Sequence, residues 1–202
     1  MPSYDFENEK YALGYTAVCG CDEAGRGPLC GNVVAAAVIL PVGLVIEGLN
    51  DSKKLTEKKR EALYDRIVES AIAYGIAEAT PEEIDEYNIL NASMLAMQRA
   101  IDKLGVKADC ALIDGNCNRG FKIDAFPIVK GDAKSASIAA ASILAKVTRD
   151  RQCLELDREY PMYNIKQHKG YPTKEHMDAV RKYGAAPIYR KSFLKFLNDE
   201  NS

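Results

Sequence analysis

Short apolar runs alternate with amphipathic stretches over most of the chain. The runs at 16–21 and 33–40 flank a Gly/Pro-rich turn at 24–28, a pattern that predicts two consecutive strands. Further short strands are predicted near 75–79, 111–113 and 127–129. Helices are predicted at 56–73, from residue 80 onwards, at 92–104 and at 135–159. This alternation of strands and helices indicates an α/β domain.

Local signals support several of the predicted helix ends. Thr56 is a suitable N-cap for the helix at 56–73. The sequence TPEE at 80–83 combines a cap residue, a proline at the first helical position and acids in the first turn. Gly105 suits the C′ position of the helix that precedes it. The helix at 135–159 is rich in Ala and Ser in its first half, so we expect it to approach a sheet closely.

The length of 202 residues is that of one ordinary domain, with or without a small appendage. The net charge of −2 means that any binding to nucleic acid depends on a local patch. The segment 166–195 provides one, with a net charge of +6 that leaves −8 for the rest. Its basic residues are Lys166, Lys169, Lys174, Arg181, Lys182, Arg190, Lys191 and Lys195. This basic tail predicts contact with a polyanion, the alternative being a solvated helical face.

The chain carries no sequence signal for a membrane or for secretion. The longest apolar run, 33–40, is far shorter than the roughly 20 residues that a membrane-spanning helix needs. The acidic first ten residues do not resemble the basic start of a signal peptide. The six cysteines form neither a CxxC pair nor a zinc-type array, which favours reduced structural thiols over metal ligands. We therefore expect a cytoplasmic protein.

Three of the predicted strands lead into carboxylates, which are Asp22 and Glu23, Asp114, and Asp132. Functional groups gather at the carboxyl ends of strands in α/β sheets, so we expect the four acids to converge. Clustered carboxylates repel one another unless a cation lies among them, and their oxygens favour Mg²⁺ or Mn²⁺. Two such ions about 3.5–4 Å apart would bind the attacking and leaving oxygens of a phosphodiester. Taken singly, Asp114 or Asp132 would be interpreted as a turn residue or helix cap.

The sequence Gly25-Arg26-Gly27 follows the first acidic pair. It is either a plain tight turn or a loop whose backbone, free of side chains at the glycines, can approach a sugar or phosphate. It matches neither a Walker A loop nor the dinucleotide fingerprint. The two histidines, His168 and His176, lie in the basic tail and form no Ser-His-Asp or Cys-His pattern.

Several motifs taken together resemble the ribonuclease HII family over 15–193, nearly the whole chain. In order, they are CDEAGRGP at 21–28, DSKKL at 51–55, IDG at 113–115, KGD at 130–132, SIAAASILAKV at 137–147, RD at 149–150 and HKGY at 168–171. The resemblance implies an RNase H-like fold, with a five-stranded mixed sheet flanked by helices and a helical C-terminal segment. We expect the catalytic core at 1–160 and the basic substrate-binding segment at 161–202.

The resemblance also implies an activity and a set of site residues. The family hydrolyses the phosphodiester 5′ of a ribonucleotide in duplex DNA, leaving a 3′-hydroxyl and a 5′-phosphate, and cuts the RNA strand of RNA/DNA hybrids. The implied metal-binding residues, for two Mn²⁺ or Mg²⁺ ions, are Asp22, Glu23, Asp114 and Asp132. The implied substrate-binding residues are Gly25, Arg26 and Gly27, which would read the 2′-hydroxyl, Tyr171, which would read the junction, and Lys53, Lys54 and Lys146, which would contact phosphates. We expect a monomer whose partners are these nucleic acids.

The chain departs from the family near its end, where YRKSF at 189–193 replaces the common HRRSF and leaves any special role of Tyr189 open. The apolar residues near the end of the chain predict either a terminal helix that packs on the rest of the domain or a binding site for a partner. They are Phe193, Leu194, Phe196 and Leu197. The related ribonuclease HIII has a sizeable N-terminal substrate-binding domain, for which the roughly twenty residues before Asp22 leave no room. The alternative to an enzyme is a non-catalytic protein that binds nucleic acid on the same scaffold. Four strand-end acids argue against it, because carboxylates repel phosphate unless cations bridge them.

Overall fold

The computed structural model describes residues 2–197, which form one five-stranded mixed sheet with helices on both faces. The strands are β1 (Val18–Ala24), β2 (Val33–Ile39), β3 (Ala73–Ala79), β4 (Cys110–Asp114) and β5 (Asp124–Ile128). Their order across the sheet is β3-β2-β1-β4-β5. The β1–β2 and β2–β3 pairs are antiparallel, whereas β1–β4 and β4–β5 are parallel. The expected α/β fold with a five-stranded mixed sheet is confirmed.

The helices are α1 (Asp5–Ala12), α2 (Glu57–Ser70), α3 (Pro81–Asp102), α4 (Ala136–Glu159), α5 (Ile165–His168) and α6 (Lys174–Tyr183). The helix α3 packs on one face of the sheet, and α2 and α4 pack on the other. Strand β2 is buried along its whole length because both of its faces are covered. Its alternate residues Ala35 and Ala37 face α3, while Ala36 and Val38 face α4. Small side chains at these positions let the layers approach closely.

The predicted helix at 92–104 and the predicted helix start at Thr80 belong to one kinked helix, α3. Thr80 and Glu83 form a capping box in which each side chain accepts a hydrogen bond from the other's main-chain N–H. At Asn88 the backbone leaves the helical region, with φ of 66°. The Asn88 side chain then accepts hydrogen bonds from the N–H groups of Leu90 and Asn91, so it caps the second half.

The helix α1 was not predicted, because it has almost no apolar stripe along one face. It is held instead by a buried carboxylate, that of Glu7. One oxygen of Glu7 accepts hydrogen bonds from the hydroxyls of Ser135 and Ser137 and from the N–H of Ser137. These groups belong to the N-terminal turn of α4, where a negative charge is favourable. The helix α1 therefore anchors the start of α4.

The C-terminal segment is helical, but its last part differs from the prediction. Two 3₁₀ turns, Lys191–Phe193 and Lys195–Leu197, replace the expected terminal helix. The four apolar side chains of these turns pack against a separate cluster that includes Leu29, Cys30 and Cys153. The segment is thereby joined to the loop that follows β1. Residues 198–202 of the predicted segment 161–202 lie outside the described residues.

The described helices include none with the length and apolar character needed to cross a membrane. All six cysteines are free thiols, and five of them are buried.

Candidate active site

Two of the candidate acids come from neighbouring parallel strands. In the β1–β4 register, Cys21 pairs with Ile113. The next residue on each strand is an aspartate, Asp22 on β1 and Asp114 on β4. The acids at 22 and 23 lie within β1, which continues to residue 24, rather than after the strand as predicted. The parallel register brings the two aspartates to one edge of the sheet.

Asp132 lies at the same edge of the sheet, in a turn whose main chain is hydrogen-bonded to the Asp114 side chain. Asp114 Oδ1 accepts hydrogen bonds from the N–H groups of Gly131, at 2.7 Å, and Asp132, at 3.4 Å. Lys130 precedes the turn with a positive φ of 57°. A Cβ at Gly131 would lie 2.6 Å from the terminal methyl of Ile138, so the Ile138 side chain would have to move to admit a larger residue there. Asp132 thus lies in a 3₁₀ turn beyond β5 rather than directly at the strand's end.

Burial and mutual repulsion affect the protonation of three of these acids. Burial, followed by the charges of Glu23 and Asp114, raises the pKa of the Asp22 carboxyl. Burial is also the main cause that raises the pKa of Glu23. Burial and the charge of Asp114 raise the pKa of Asp132. The structure therefore brings the predicted acids close enough to destabilise one another's charged forms.

Lys53 lies beside these acids. Its ammonium nitrogen is 3.8 Å from Asp132 Oδ2. Partial burial lowers the pKa of Lys53, but the charges of Asp22, Asp132, Asp51 and Asp114 together outweigh burial and raise it. One cationic group thus interacts with acids from three separate parts of the sheet edge and with the turn at Asp51.

The arrangement of the acids suits a hard cation in its chemistry, although the side chains do not form a closed ligand set. Within residues 2–197, no three Asp, Glu, His or Cys side chains lie close enough together to hold a metal ion. Two of the acids have protein cations as neighbours instead, since Arg26 Nη1 lies 3.4 Å from Glu23 and Lys53 is the neighbour of Asp132. All four groups are nevertheless carboxylates whose negative charges repel one another, and a divalent cation among them would relieve this repulsion.

The substrate residues expected from the sequence mostly share one cleft with Asp22 and Glu23. The cleft is lined by Asp22, Glu23, Ala24, Gly25, Arg26, Gly27, Ser52, Lys53, Ser142, Lys146, Arg149 and Tyr171. Lys54 is the exception, because its exposed side chain does not line the cleft and lies 3.9 Å from Asp51. Lys146 is held by Asp150 at 2.6 Å. Six of the seven predicted substrate-binding residues are therefore brought together.

Tyr171 lies directly beside the Gly-Arg-Gly loop. A Cβ added to Gly27 would be 3.1 Å from the Tyr171 ring, and Tyr171 as a residue is 47% exposed. Behind it, the rings of His168 and His176 stack at 4.0 Å, and Tyr189 lies 2.8 Å from the second ring nitrogen of His176. The Tyr171 carbonyl can only accept, so His176 Nδ1 donates to it. The neutral ring then accepts a hydrogen bond from the Tyr189 hydroxyl at Nε2.

This network gives the histidines and Tyr189 a structural role. Burial lowers the pKa of His176 to about 4, so the ring is neutral at physiological pH. His168 completes the support, because its ring accepts the N–H of Gly170 next to Tyr171. The chain's departure at Tyr189 thus contributes a buried hydrogen-bond donor that supports the turn carrying Tyr171.

The sequence predicts no separate site role for two buried arginines, Arg149, which lines the cleft, and Arg190, which is one of the basic residues of the tail. Arg149, 3% exposed, donates to the carbonyls of Cys30 and Lys169. Arg190 is fully buried, so it cannot contact a polyanion as predicted from the basic tail. A signal for Arg149 was present, because Ser142, Lys146 and Arg149 are spaced i, i+4, i+7 along one face of α4.

Comparison with known proteins finds similarity over nearly the whole chain. The family model for ribonuclease HII matches residues 19–196. A protein named ribonuclease HII from Clostridioides difficile (strain 630) is 57% identical over 190 residues, which cover 94% of this chain and 74% of the relative. Another from Vibrio vulnificus (strain YJ016) is 55% identical over 184 residues, covering 91% and 89%. The crystal structure of ribonuclease H2 from Pyrococcus horikoshii OT3 superposes with a TM-score of 0.77 at 27% identity, covering 92% of this chain and 98% of that one.

Proposed function

Because the chain belongs to the ribonuclease HII family and is therefore a metal-dependent ribonuclease of the type 2 RNase H class, we propose that it cuts at ribonucleotides embedded in duplex DNA. Water adds to the phosphorus on the 5′ side of the ribonucleotide and the bond to the preceding 3′-oxygen breaks. The products carry a 3′-hydroxyl and a 5′-phosphate. The same site cuts the RNA strand of RNA/DNA hybrids.

One observation carries this proposal. Asp22 and Asp132, which are buried, and Asp114, which is partly buried, all act on the ammonium group of Lys53, beside a cleft whose lining includes the Gly-Arg-Gly loop. Carboxylates held together in this way favour hard divalent cations. We assign Asp22, Glu23, Asp114 and Asp132 as the residues that would hold two Mg²⁺ or Mn²⁺ ions. When bound, such ions stabilise charge on a transferring phosphate and activate water.

The cations of the cleft are suited to bind phosphates of the substrate strand. Lys53 and Lys146 line the cleft near the acids. Asp150 orients Lys146 and is itself paired with Arg60 at 3.5 Å. Contacts of this kind fix the register of a duplex without reading its sequence. Lys54 lies outside the cleft, so we assign it to a more distant phosphate.

The Gly-Arg-Gly loop and Tyr171 are suited to distinguish a ribonucleotide from its neighbours. A ribonucleotide differs from a deoxyribonucleotide only by its 2′-hydroxyl, which both donates and accepts hydrogen bonds. Arg26 and Gly27 are exposed at the cleft, so their main-chain groups can reach that hydroxyl. The Tyr171 ring, in contact range of Gly27, can stack on the next sugar and disfavour a second 2′-hydroxyl there.

We further propose that the protein acts as a monomer in the cytoplasm. The six free cysteines suit a reducing compartment.

A duplex with one ribonucleotide in an otherwise DNA strand tests the proposed function. We expect a single nick on the 5′ side of that ribonucleotide with Mg²⁺ or Mn²⁺, and no nick after addition of EDTA. The matched all-DNA duplex is the control and should stay intact. A nick elsewhere, or a nick that persists in EDTA, would contradict the proposal.

Tyr171→Ala tests the reading of the junction. We expect cleavage at a single ribonucleotide to fall by about 10-fold or more, because losing an aromatic stacking partner costs about 1–3 kcal/mol. Cleavage within a long RNA strand should fall less, since the next sugar there carries the hydroxyl that the ring disfavours. The measurement is kcat/KM on both substrates.

The matched control for this prediction is Tyr74→Ala. Tyr74 is 39% exposed on the edge strand β3 and does not line the cleft. We expect it to change neither rate. Equal losses on the two substrates for Tyr171→Ala would remove the junction-reading role from Tyr171.

A further inference from the structure

Arg190 uses all of its side-chain donors on the main chain of one loop. It is fully buried, and its guanidinium makes five hydrogen bonds of 2.7–3.1 Å to four carbonyls. The acceptors are the carbonyl oxygens of Gly25, Arg26, Pro28 and Gly31. Burial lowers the pKa of Arg190 to about 9, which leaves it charged at neutral pH. A buried charge is thus satisfied entirely by the backbone of the loop 25–31.

The far end of the same loop is fixed by backbone pairing. Cys30 forms an antiparallel bridge with Tyr189, and the N–H of Arg190 donates to the Leu29 carbonyl. The N–H of Leu29 donates in turn to the Gly170 carbonyl, next to Tyr171. The loop after β1 and the turn that carries Tyr171 are therefore joined through the residues on either side of Arg190.

Arg149 supports the loop from the opposite side. It donates to the Cys30 carbonyl, and its side chain passes beneath Gly25, where an added Cβ would lie 2.0 Å from the guanidinium Nε. Gly25 has a φ of +101°, a conformation that favours glycine. The beginning of the loop is thus confined between two buried arginines.

The hydrogen bonds of Arg190 determine the direction of two peptide groups. In a planar trans peptide the C=O and the following N–H point in opposite directions, and the described chain contains no cis peptide bond. The carbonyls of Gly25 and Arg26 point inward to Arg190, so the N–H groups of Arg26 and Gly27 point outward. Neither N–H donates to another group in the described residues. Both belong to residues that line the cleft.

We propose that Arg190 is a positioning residue that fixes the Gly-Arg-Gly loop so that the main-chain N–H groups of Arg26 and Gly27 face the ribose of the substrate. This inference rests on the proposed function, since it assigns the device that orients the groups reading the 2′-hydroxyl. Arginine is required because its planar head carries five donors, whereas lysine has three on one nitrogen and cannot span four carbonyls. The arginine makes the loop rigid before substrate arrives, which lowers the cost of recognition.

Arg190→Lys keeps the charge and removes the planar set of donors. We expect kcat/KM at a single ribonucleotide to fall by about 100-fold, the size of effect that a 1 Å misplacement can have. We also expect a loss of selectivity in binding. In an Asp114→Asn background, in which we expect turnover to be about 10³-fold slower, the affinity ratio between the ribonucleotide-containing duplex and the all-DNA duplex should fall by at least about 10-fold, one lost hydrogen bond being worth about 1.5 kcal/mol.

Leu104→Ala is the control for destabilisation alone. It removes core packing just after the end of α3, at a residue that does not line the cleft. We expect it to lower thermal stability while leaving the affinity ratio unchanged. If Arg190→Lys keeps the wild-type ratio and rate, the inference is wrong.

A second measurement uses the wild-type protein and remains informative if Arg190→Lys does not fold. Amide hydrogen exchange of Arg26 and Gly27 should be fast in the free protein, because both N–H groups are outward and unbonded. It should slow on binding the ribonucleotide-containing duplex, in the presence of Ca²⁺ in place of the catalytic ion, and not on binding the all-DNA duplex. Amides that are already protected, or that respond equally to both duplexes, would overturn the inference.

The two proposals fail in different ways. Wild-type protein that makes no metal-dependent nick at a ribonucleotide refutes the proposed function. Wild-type protein that nicks and discriminates, together with an Arg190→Lys variant that does so equally well, refutes only the role of Arg190.

Discussion

Asp114→Asn is expected to lower turnover on a duplex with one ribonucleotide by about 10³-fold, equivalent to about 4 kcal/mol in the barrier. The substitution replaces a charged oxygen by an amide of nearly the same shape. Its remaining oxygen can still accept the hydrogen bonds from Gly131 and Asp132, so the turn should persist. What is lost is the negative charge that acts on Lys53 and on the neighbouring acids. The measurement is kcat, with the affinity for the same duplex measured alongside.

Asp109→Asn is the matched control at the opposite end of the same strand. Partial burial acts to raise the pKa of Asp109, but hydrogen bonds that Asp109 accepts from the Thr16 hydroxyl and from the main chain of Thr16 and Ala17 outweigh burial and lower it. We expect the control to cost stability and to leave kcat unchanged. Asp114→Asn with wild-type turnover would remove Asp114 from the proposed metal site, and loss of duplex affinity equal to the loss of turnover would point to a binding role instead.

Gly20→Ala is expected to lower the free energy of unfolding by about 3 kcal/mol, at the upper end of typical overpacking costs. A Cβ at Gly20 would lie 2.3 Å from the main-chain nitrogen of Ile138 and the carbonyl carbon of Ser137. These atoms belong to the first turn of α4, which crosses β1 at this glycine. Backbone cannot move aside as a flexible side chain can. For a chain of this size the thermal midpoint should fall by about 6–12 °C.

Gly120→Ala provides the comparison for this prediction. Gly120 has a positive φ, of +85°, which Gly20 does not, and an added Cβ there would meet no atom within 4 Å. Its expected cost is therefore conformational only, about 1–2 kcal/mol. If Gly20→Ala is no more destabilising than Gly120→Ala, the close approach of α4 to β1 does not contribute to stability as argued. A folded Gly20→Ala variant should also lose activity, because the turn carrying Asp132 leads directly into α4.

The acids and the glycine loop could be predicted because their signals are local. Asp22, Asp114 and Asp132 each come at or just beyond a short apolar run, and the Gly-Arg-Gly sequence is compact. The parallel pairing of β1 with β4 then explains why Asp22 and Asp114 share one edge. The assignment of these acids as metal ligands stays a proposal, which the Asp114→Asn experiment addresses.

Other features had no local signal. The helix α1 lacks an apolar stripe, and the carboxylate of Glu7 is recognisable as a cap only once Ser135 and Ser137 are in place, more than 120 residues away. Arg190 appears in the sequence as one more cation in a basic tail. Arg190 is buried because the C-terminal segment packs against the loop after β1, a contact that only the tertiary structure shows.

The sequence by itself determined the five strands, the helices α2, α3 and α4, and the acids and glycine loop that are the candidates for the site, because these depend on side-chain periodicity and short motifs. The tertiary structure decided which cations face substrate and which are buried. Two basic residues illustrate this. Lys53 lies beside the acids of the site, whereas Arg190 is buried and donates to the main chain of the Gly-Arg-Gly loop. The physical reason is that burial and hydrogen-bond partners of a charged group are set by chain segments distant in sequence, and no local pattern encodes them.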